Sequence, residues 1–423
     1  MLIGNHRDAW VVGSVDPNSG TAALLEVAKG LGELLKAGWR PRRTILLTSW
    51  DGEEEGMLGS SEYAEDNESV FYNSAVAYVN VDSAVSGGSV VRFSATPNLD
   101  WAVREAAMRA IHPYDADSTL YDYWKETNSR IAGEYLRRFA PSKYDPLRSI
   151  SYIDPPRLGR VGGEGTDYAA YLHHMGIPTV NAGMSGTRGY PVYHSAYDNF
   201  RWMAKFGDPG FHRHRSMAQW YGSIALILAD SDVLPLDYEN YASELSVYVF
   251  ELSSRMRELG DNVTDISPLV ESVRVMQNVA SNIHAAPAPT RWLELRQLND
   301  KLMMAERGFL LPEGLNGPAE GVIPGESFER KWERHAVYAP LVDNNYGTSF
   351  FPAIFDALEA AVRGTIPMNE VQREVWRVAR AIFDVAKELQ VRRATHAETR
   401  VHSLSFSLSL SRTRAYAQER HDV

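Results

Sequence analysis

The sequence predicts an α/β domain built on a mostly parallel sheet, followed by a helical bundle. Three observations carry this. Over residues 1–207, short apolar runs of strand length alternate with amphipathic helical stretches. From about residue 212 the apolar spacing becomes helical throughout. Histidines and carboxylates fall at the ends of the strand-like runs, where parallel sheets gather their ligands.

In chain order, Met1-Leu2-Ile3-Gly4 reads as the end of a strand, with His6 directly after it. A start inside a core strand leads us to expect a truncated gene model or an excised piece. After Asp16-Pro17-Asn18-Ser19-Gly20, the residues Leu24, Val27, Ala28, Leu31, Leu34 and Leu35 recur at helical spacing. Gly38-Trp39-Arg40-Pro41 stops that helix, and residues 43–49 form the next strand. A short helix is expected over 59–65, strands over 76–81 and 90–94, and a helix over 98–111. Residues 167–174 suit a helix and 177–180 a strand.

Helices are expected over 212–230, 237–259, 266–284, 290–306, 353–363 and 369–390. A Pro/Gly-rich loop with several aromatics is expected over roughly 310–352. Residues 401–411 alternate serine with Leu or Phe and then turn basic. We expect residues 392–423 to be a disordered tail with some aggregation risk. The expected domains are therefore an α/β domain over 1–207, a helical domain over 208–391 and the tail.

Composition narrows the function. The chain has 423 residues, 44% apolar and 23% charged, which suits a soluble globular protein with a large core. A formal net charge of -11 argues against a nucleic-acid partner, which requires a basic surface. With no cysteine, any metal must be held by histidines and carboxylates. Two sequons, at Asn67 and Asn262, matter only in a secreted setting. No apolar stretch is long enough to span a membrane, and no signal peptide is expected.

The most informative stretch is Ser49-Trp50-Asp51-Gly52-Glu53-Glu54-Glu55-Gly56. Three successive carboxylates after a buried strand call either for a solvated turn or for a cation. His6, Asp16, Asp82 and His194 each lie near the end of their own apolar run. Together with the glutamates they are the nitrogen and oxygen ligand types that a pair of zinc ions takes.

The segments His6-Arg7-Asp8, Asp16-Pro17-x-Ser19-Gly20, Ser49-Trp50-Asp51-x-Glu53-Glu54, Asn80-Val81-Asp82-Ser83 and Tyr193-His194-Ser195 resemble glutamate carboxypeptidase II and its relatives. That family of co-catalytic zinc peptidases also contains the transferrin receptor. The resemblance runs from about residue 1 to about 390, and residues 38–46 are an especially close match. It implies a zinc exopeptidase core followed by a helical dimerisation domain, two Zn²⁺ per chain, a peptide substrate and a homodimer. Family members are membrane-anchored, with the catalytic part on the extracytoplasmic side; no anchor is seen here.

The resemblance implies a role for each position. His6 and Asp82 hold one zinc, Glu54 and His194 the other, and Asp16 bridges both. Two ions about 3.5–4 Å apart need such a bridge and acidify a shared water. Glu53 is the general base that takes the proton of that water. Adjacent glutamates on an extended backbone face different ways, so one can ligate while the other faces the water. Tyr193 resembles the tyrosine that hydrogen-bonds the developing oxyanion, with packing as the alternative. Gly165 resembles a glycine lining the substrate site, with an ordinary turn as the alternative. Glu62 and Glu65 match two ligands of a structural Ca²⁺, with a solvated helix face as the alternative.

Substrate recognition departs from the family pattern. Arg92 matches one of the family's substrate-binding arginines, and Tyr346 is also kept. Asn181 and Gly183 stand where two other arginines are expected, and Asn345 replaces a lysine. Glu55 replaces an aromatic. An acidic side-chain preference is therefore not expected. The family's apical domain and first strands precede the His6 motif, and those strands are expected to flank the strand ending at His6. The alternative to an enzyme is a transferrin-receptor-like binding protein or an inactive fragment. Whether trimming is from the amino or the carboxyl end is left open.

Overall fold

The computed structural model describes residues 1–139, 155, 156, 158–163, 165–186, 189–316, 330–342 and 344–390. Residues Met1–Gln390 form one compact unit. The expected disordered tail, 392–423, lies outside the described residues.

The sheet holds β1 (Leu2–His6), β2 (Leu46–Trp50), β3 (Tyr78–Asn80), β4 (Val90–Ala95) and β5 (Thr179–Ser185), in the order β2-β1-β3-β5-β4. The β1–β2, β1–β3 and β3–β5 pairs are parallel and β4–β5 is antiparallel. The expected mostly parallel sheet is thus borne out. One expectation is corrected: β1 is hydrogen-bonded on both sides, by β2 and β3, so no absent strand flanks it. β5 runs on to Ser185, well past the apolar run at 177–180, because its second half pairs with β4.

Helices α1 (Asn18–Lys36), α2 (Leu58–Asp66), α3 (Glu68–Ser74), α4 (Asp100–Arg109) and α5 (Leu120–Phe139) belong to the first half. α6 (His212–Asp230) packs on α1 and α4. Its Tyr221 hydroxyl, fully buried, donates to the Gly4 carbonyl at 2.7 Å. The helix expected over 167–174 is reduced to one wide turn, Ala170–His174. There Tyr171 stacks on Tyr78 of β3 at 4.5 Å between ring centres.

The second half is helical as expected: α7 (Tyr238–Glu258), α8 (Ser267–His284), α9 (Trp292–Ala305), α10 (Pro352–Val362) and α11 (Met368–Leu389). Asp237 caps α7 by accepting from the N–H groups of Glu239 and Asn240, both at 3.0 Å. α11 lies along α8 with one broad apolar face buried. The expected loop instead contains a hairpin, β6 (Tyr338–Leu341) and β7 (Asn344–Phe350). Phe350 stacks on Tyr248 of α7 at 4.1 Å, which gives that hairpin an apolar face to bury.

Candidate metal centre

The cluster is built from chain ends that converge on one edge of the sheet. β1 delivers His6, fully buried, and the turn after β2 delivers Glu53 and Glu54. Asp82 follows β3, Asp16 precedes α1, and His194 lies in the turn after β5 with φ 53. Fully buried Asn5 ties three of these ends together. Its Nδ2 donates to the carbonyls of Pro17, Val81 and Asp82, and its Oδ1 accepts from Thr21 Oγ1 at 2.7 Å. Gly20 allows the close approach of α1 to β3, since a Cβ there would sit 2.0 Å from the Asp82 carbonyl oxygen.

Two donor groups result, and they share one residue. His6 Nε2 lies 3.2 Å from Asp82 Oδ1 and 3.4 Å from Asp16 Oδ1. His194 Nε2 lies 3.1 Å from Glu54 Oε2 and 3.3 Å from Asp16 Oδ2. In each group one ligand atom per residue falls within 4.8 Å of the others. Glu53 belongs to neither group, yet its Oε2 is 3.8 Å from His6 Nε2. The Asp8 carboxylate accepts from the Glu53 and Glu54 N–H groups at 3.2 and 3.1 Å and fixes that turn. Its Oδ1 also lies 3.5 Å from His6 Nδ1.

The electrostatics are those of a cation site. Burial, joined by the charges of Asp82, Asp167 and Asp16, pushes the Glu53 carboxyl up to about 9. Burial and then Asp16 push Glu54 up to about 7. Burial also raises Asp16. Burial alone would lower His6; hydrogen bonds to Asp16 and Asp82 overcome it and raise the imidazole to about 12. Glu54 Oε1 is buried without a hydrogen-bond partner. Arg7 is engaged by Asp51 at 3.0 Å, and Arg92 by Ser185 and Gly186. An unpartnered buried oxygen amid mutually repelling carboxylates fits a divalent ion, and this imidazole and carboxylate set fits zinc.

The remaining expected residues are placed as follows. Tyr193 is half-exposed and stacks on His194 at 3.6 Å between ring centres. Gly165 is exposed and precedes Thr166, whose hydroxyl accepts from Asn80 Nδ2 at 3.0 Å. Arg92 is exposed on β4. Tyr346 and Asn345 lie on β7, with side chains outside the described set. Glu62 and Glu65 sit on the exposed face of α2, and Glu65 Oε1 accepts from Trp332 Nε1 at 2.6 Å. Neither joins a metal-capable group among the described residues. Asn181 Oδ1 accepts from Asn80 at 3.2 Å. A Cβ at Gly183 would sit 2.5 Å from the Ser83 carbonyl oxygen, so an arginine there would require a backbone shift.

Sequence reasoning gave no role to Asn5, Asp8, Asp167 or Asp198. Asp8 stands in the His6-Arg7-Asp8 motif, and a polar Asn5 inside a buried strand was a signal to follow. Asp167 is fully buried, with both carboxylate oxygens unpartnered, and burial followed by the charge of Asp82 pushes it up to about 7.

This sheet carries two histidine–carboxylate groups that share Asp16. Residues 1–206 match the family model described as Peptidase family M28, and residues 254–390 match Transferrin receptor-like dimerisation domain. The chain thus joins a region that matches the M28 peptidase family to one that matches this dimerisation domain, and the resemblance drawn above is borne out. Probable glutamate carboxypeptidase LAMP1 of Arabidopsis thaliana is 41% identical over 90% of this chain and 50% of its own length. Probable glutamate carboxypeptidase VP8 of Zea mays is 38% identical over 92% and 50%. Aminopeptidase NAALADL1 of Mus musculus is 34% identical over 92% and 50%. The chain spans about half the length of the curated relatives it matches. Among the described residues no helix is long and apolar enough to cross a membrane.

Proposed function

We propose that this chain carries the catalytic site of a zinc-dependent exopeptidase that hydrolyses a terminal peptide bond. The observation that supports it most is Asp16, which belongs to both groups and has one carboxylate oxygen 3.4 Å from His6 and the other 3.3 Å from His194. In this reading His6, Asp82 and Asp16 hold one zinc, and Glu54, His194 and Asp16 hold the second. Bound zinc supplies Lewis-acid polarisation of the scissile carbonyl and lowers the pKa of a water. Glu53 takes a proton from that water as its oxygen bonds to the carbonyl carbon, then hands it to the leaving nitrogen as the C–N bond breaks. Asp8 keeps Glu53 and Glu54 at their separate tasks by holding both N–H groups. Tyr193 donates its hydroxyl to the oxygen that gains charge. We assign substrate contact to Arg92, Gly165 and Tyr346; Glu62 and Glu65 have no part in this reading.

Relatives bear both carboxypeptidase and aminopeptidase names, so the reading stops at a terminal bond. We assign the dimerisation-type region, 208–391, to pairing of two copies, with the α/β part over 1–207. The test is a panel of short peptides hydrolysed with and without a chelator, comparing wild type with Glu53→Gln. Zinc-dependent hydrolysis that Glu53→Gln abolishes while zinc stays bound supports the reading. Zinc-loaded protein that cleaves nothing leaves the transferrin-receptor-like binding protein in its place.

A further inference from the structure

The turn that carries His194 and the turn that carries Asp16 are joined by Asp198. Asp198 Oδ1 accepts from the Val15 N–H at 2.8 Å, and Oδ2 accepts from the Asp16 N–H at 3.3 Å. Its own carbonyl accepts from the Ser14 N–H at 3.2 Å, and its N–H donates to the Ser195 carbonyl at 3.0 Å. The Tyr190 hydroxyl, on the far side of His194, donates to Oδ2 at 3.4 Å. Asp198 is 2% exposed and forms no ion pair among the described residues. A buried carboxylate without a cation is costly, and packing alone does not explain one. Three donors converge on it, so an acceptor-only group is required; an amide would set its NH₂ against one of them.

The geometry points to Asp198 as the positioning residue of the second metal position: it holds the shared carboxylate of Asp16 in register with His194. This rests on the two-zinc reading above and goes beyond it. Asn5 already fixes the strand ends of His6 and Asp82 and reaches the Pro17 carbonyl beside Asp16, but among the described residues no hydrogen bond joins it to the His194 turn. Asp16 and His194 stand on turns, so their spacing depends on what clamps the turns. Removing the clamp acts on the Asp16, Glu54 and His194 group before it acts on the other.

The test is zinc titration of the metal-free full chain against a chromophoric chelator, for wild type and Asp198→Asn, with melting of both proteins in chelator. Outer partners of metal ligands are typically worth about 10–100-fold in metal affinity. The expected result is a loss of that size for the weaker-bound zinc of Asp198→Asn, with the tighter zinc changed several-fold less. A fall in metal-free melting temperature with both zinc affinities unchanged means a packing role only and overturns the inference. Should Asp198→Asn not fold, Tyr190→Phe removes one brace of the same carboxylate: a few-fold weaker second zinc supports the inference and an unchanged one overturns it. Wild type that takes up fewer than two zincs overturns the two-zinc reading, and this inference with it.

Discussion

Asp8 accepts the backbone N–H of Glu53 at 3.2 Å, across a gap of 45 residues, and in doing so sets the turn on which two adjacent glutamates take different directions. The same carboxylate accepts from Glu54 at 3.1 Å. Asp8→Ala leaves both N–H groups without their acceptor, while the His6 ring keeps its contact with the residue-8 backbone carbonyl at 3.1 Å. We expect zinc affinity to fall about 10–100-fold and hydrolysis to fall at least as far. Metal titration beside a peptide assay checks this. Unchanged values for both would remove Asp8 from the site.

Gly20→Ala tests how α1 brings Asp16 to the strand ends. Its Cβ would meet the carbonyl oxygens of Asp82 and Val81, which are backbone atoms with little room to move. Such overpacking costs about 1–3 kcal/mol or more. The variant should melt lower than wild type and lose zinc affinity as well. Gly30→Ala serves as the control, because nothing lies within 4 Å of the added atom.

Asp167 gives a pH dependence whose sign can be worked out. Its folded pKa, about 7, lies above the ordinary aspartate value of 3.8. Between those values the folded state holds a proton that the unfolded chain has released. The stabilisation is therefore present below about pH 3.8 and is lost as pH rises toward 7. Asp167→Asn keeps the shape and carries no charge at any pH. In chelator, its melting temperature should gain on wild type as pH is raised from 5 to 8. An equal gap at both values would show that Asp167 does not titrate in this range.

Metal removal should destabilise the fold, because the carboxylates around Asp16 repel once no cation sits among them. Ligand at a thousand times its dissociation constant contributes about 4 kcal/mol. Protons compete with zinc for His6 and Glu54, so the shift in melting temperature caused by chelator should be larger at pH 8 than at pH 5.5. Calorimetry with and without chelator measures it directly.

The helical half was readable almost residue by residue. Period 3.6 marked His212–Asp230 at its observed ends, and the later helices fell within two residues of expectation. What was missed depends on distant partners. The β6–β7 hairpin contains Pro340 and no clear alternation, and it is held by Phe350 stacking on Tyr248. The second half of β5 owes its length to β4, far away in sequence. Helix α5 carries too many charged and polar residues for a clean apolar stripe. The histidines and carboxylates of the cluster were nameable because their types are rare at strand ends. Asn5 and Asp198 were not, because a buried Asn or Asp is ordinary until its acceptors and donors are known.

Zinc bound per chain, measured by elemental analysis after dialysis against zinc-free buffer, bears most directly on the bridging role of Asp16. Two ions that share this carboxylate should give close to two zincs per chain in wild type. One zinc or none in folded wild-type protein would contradict the account.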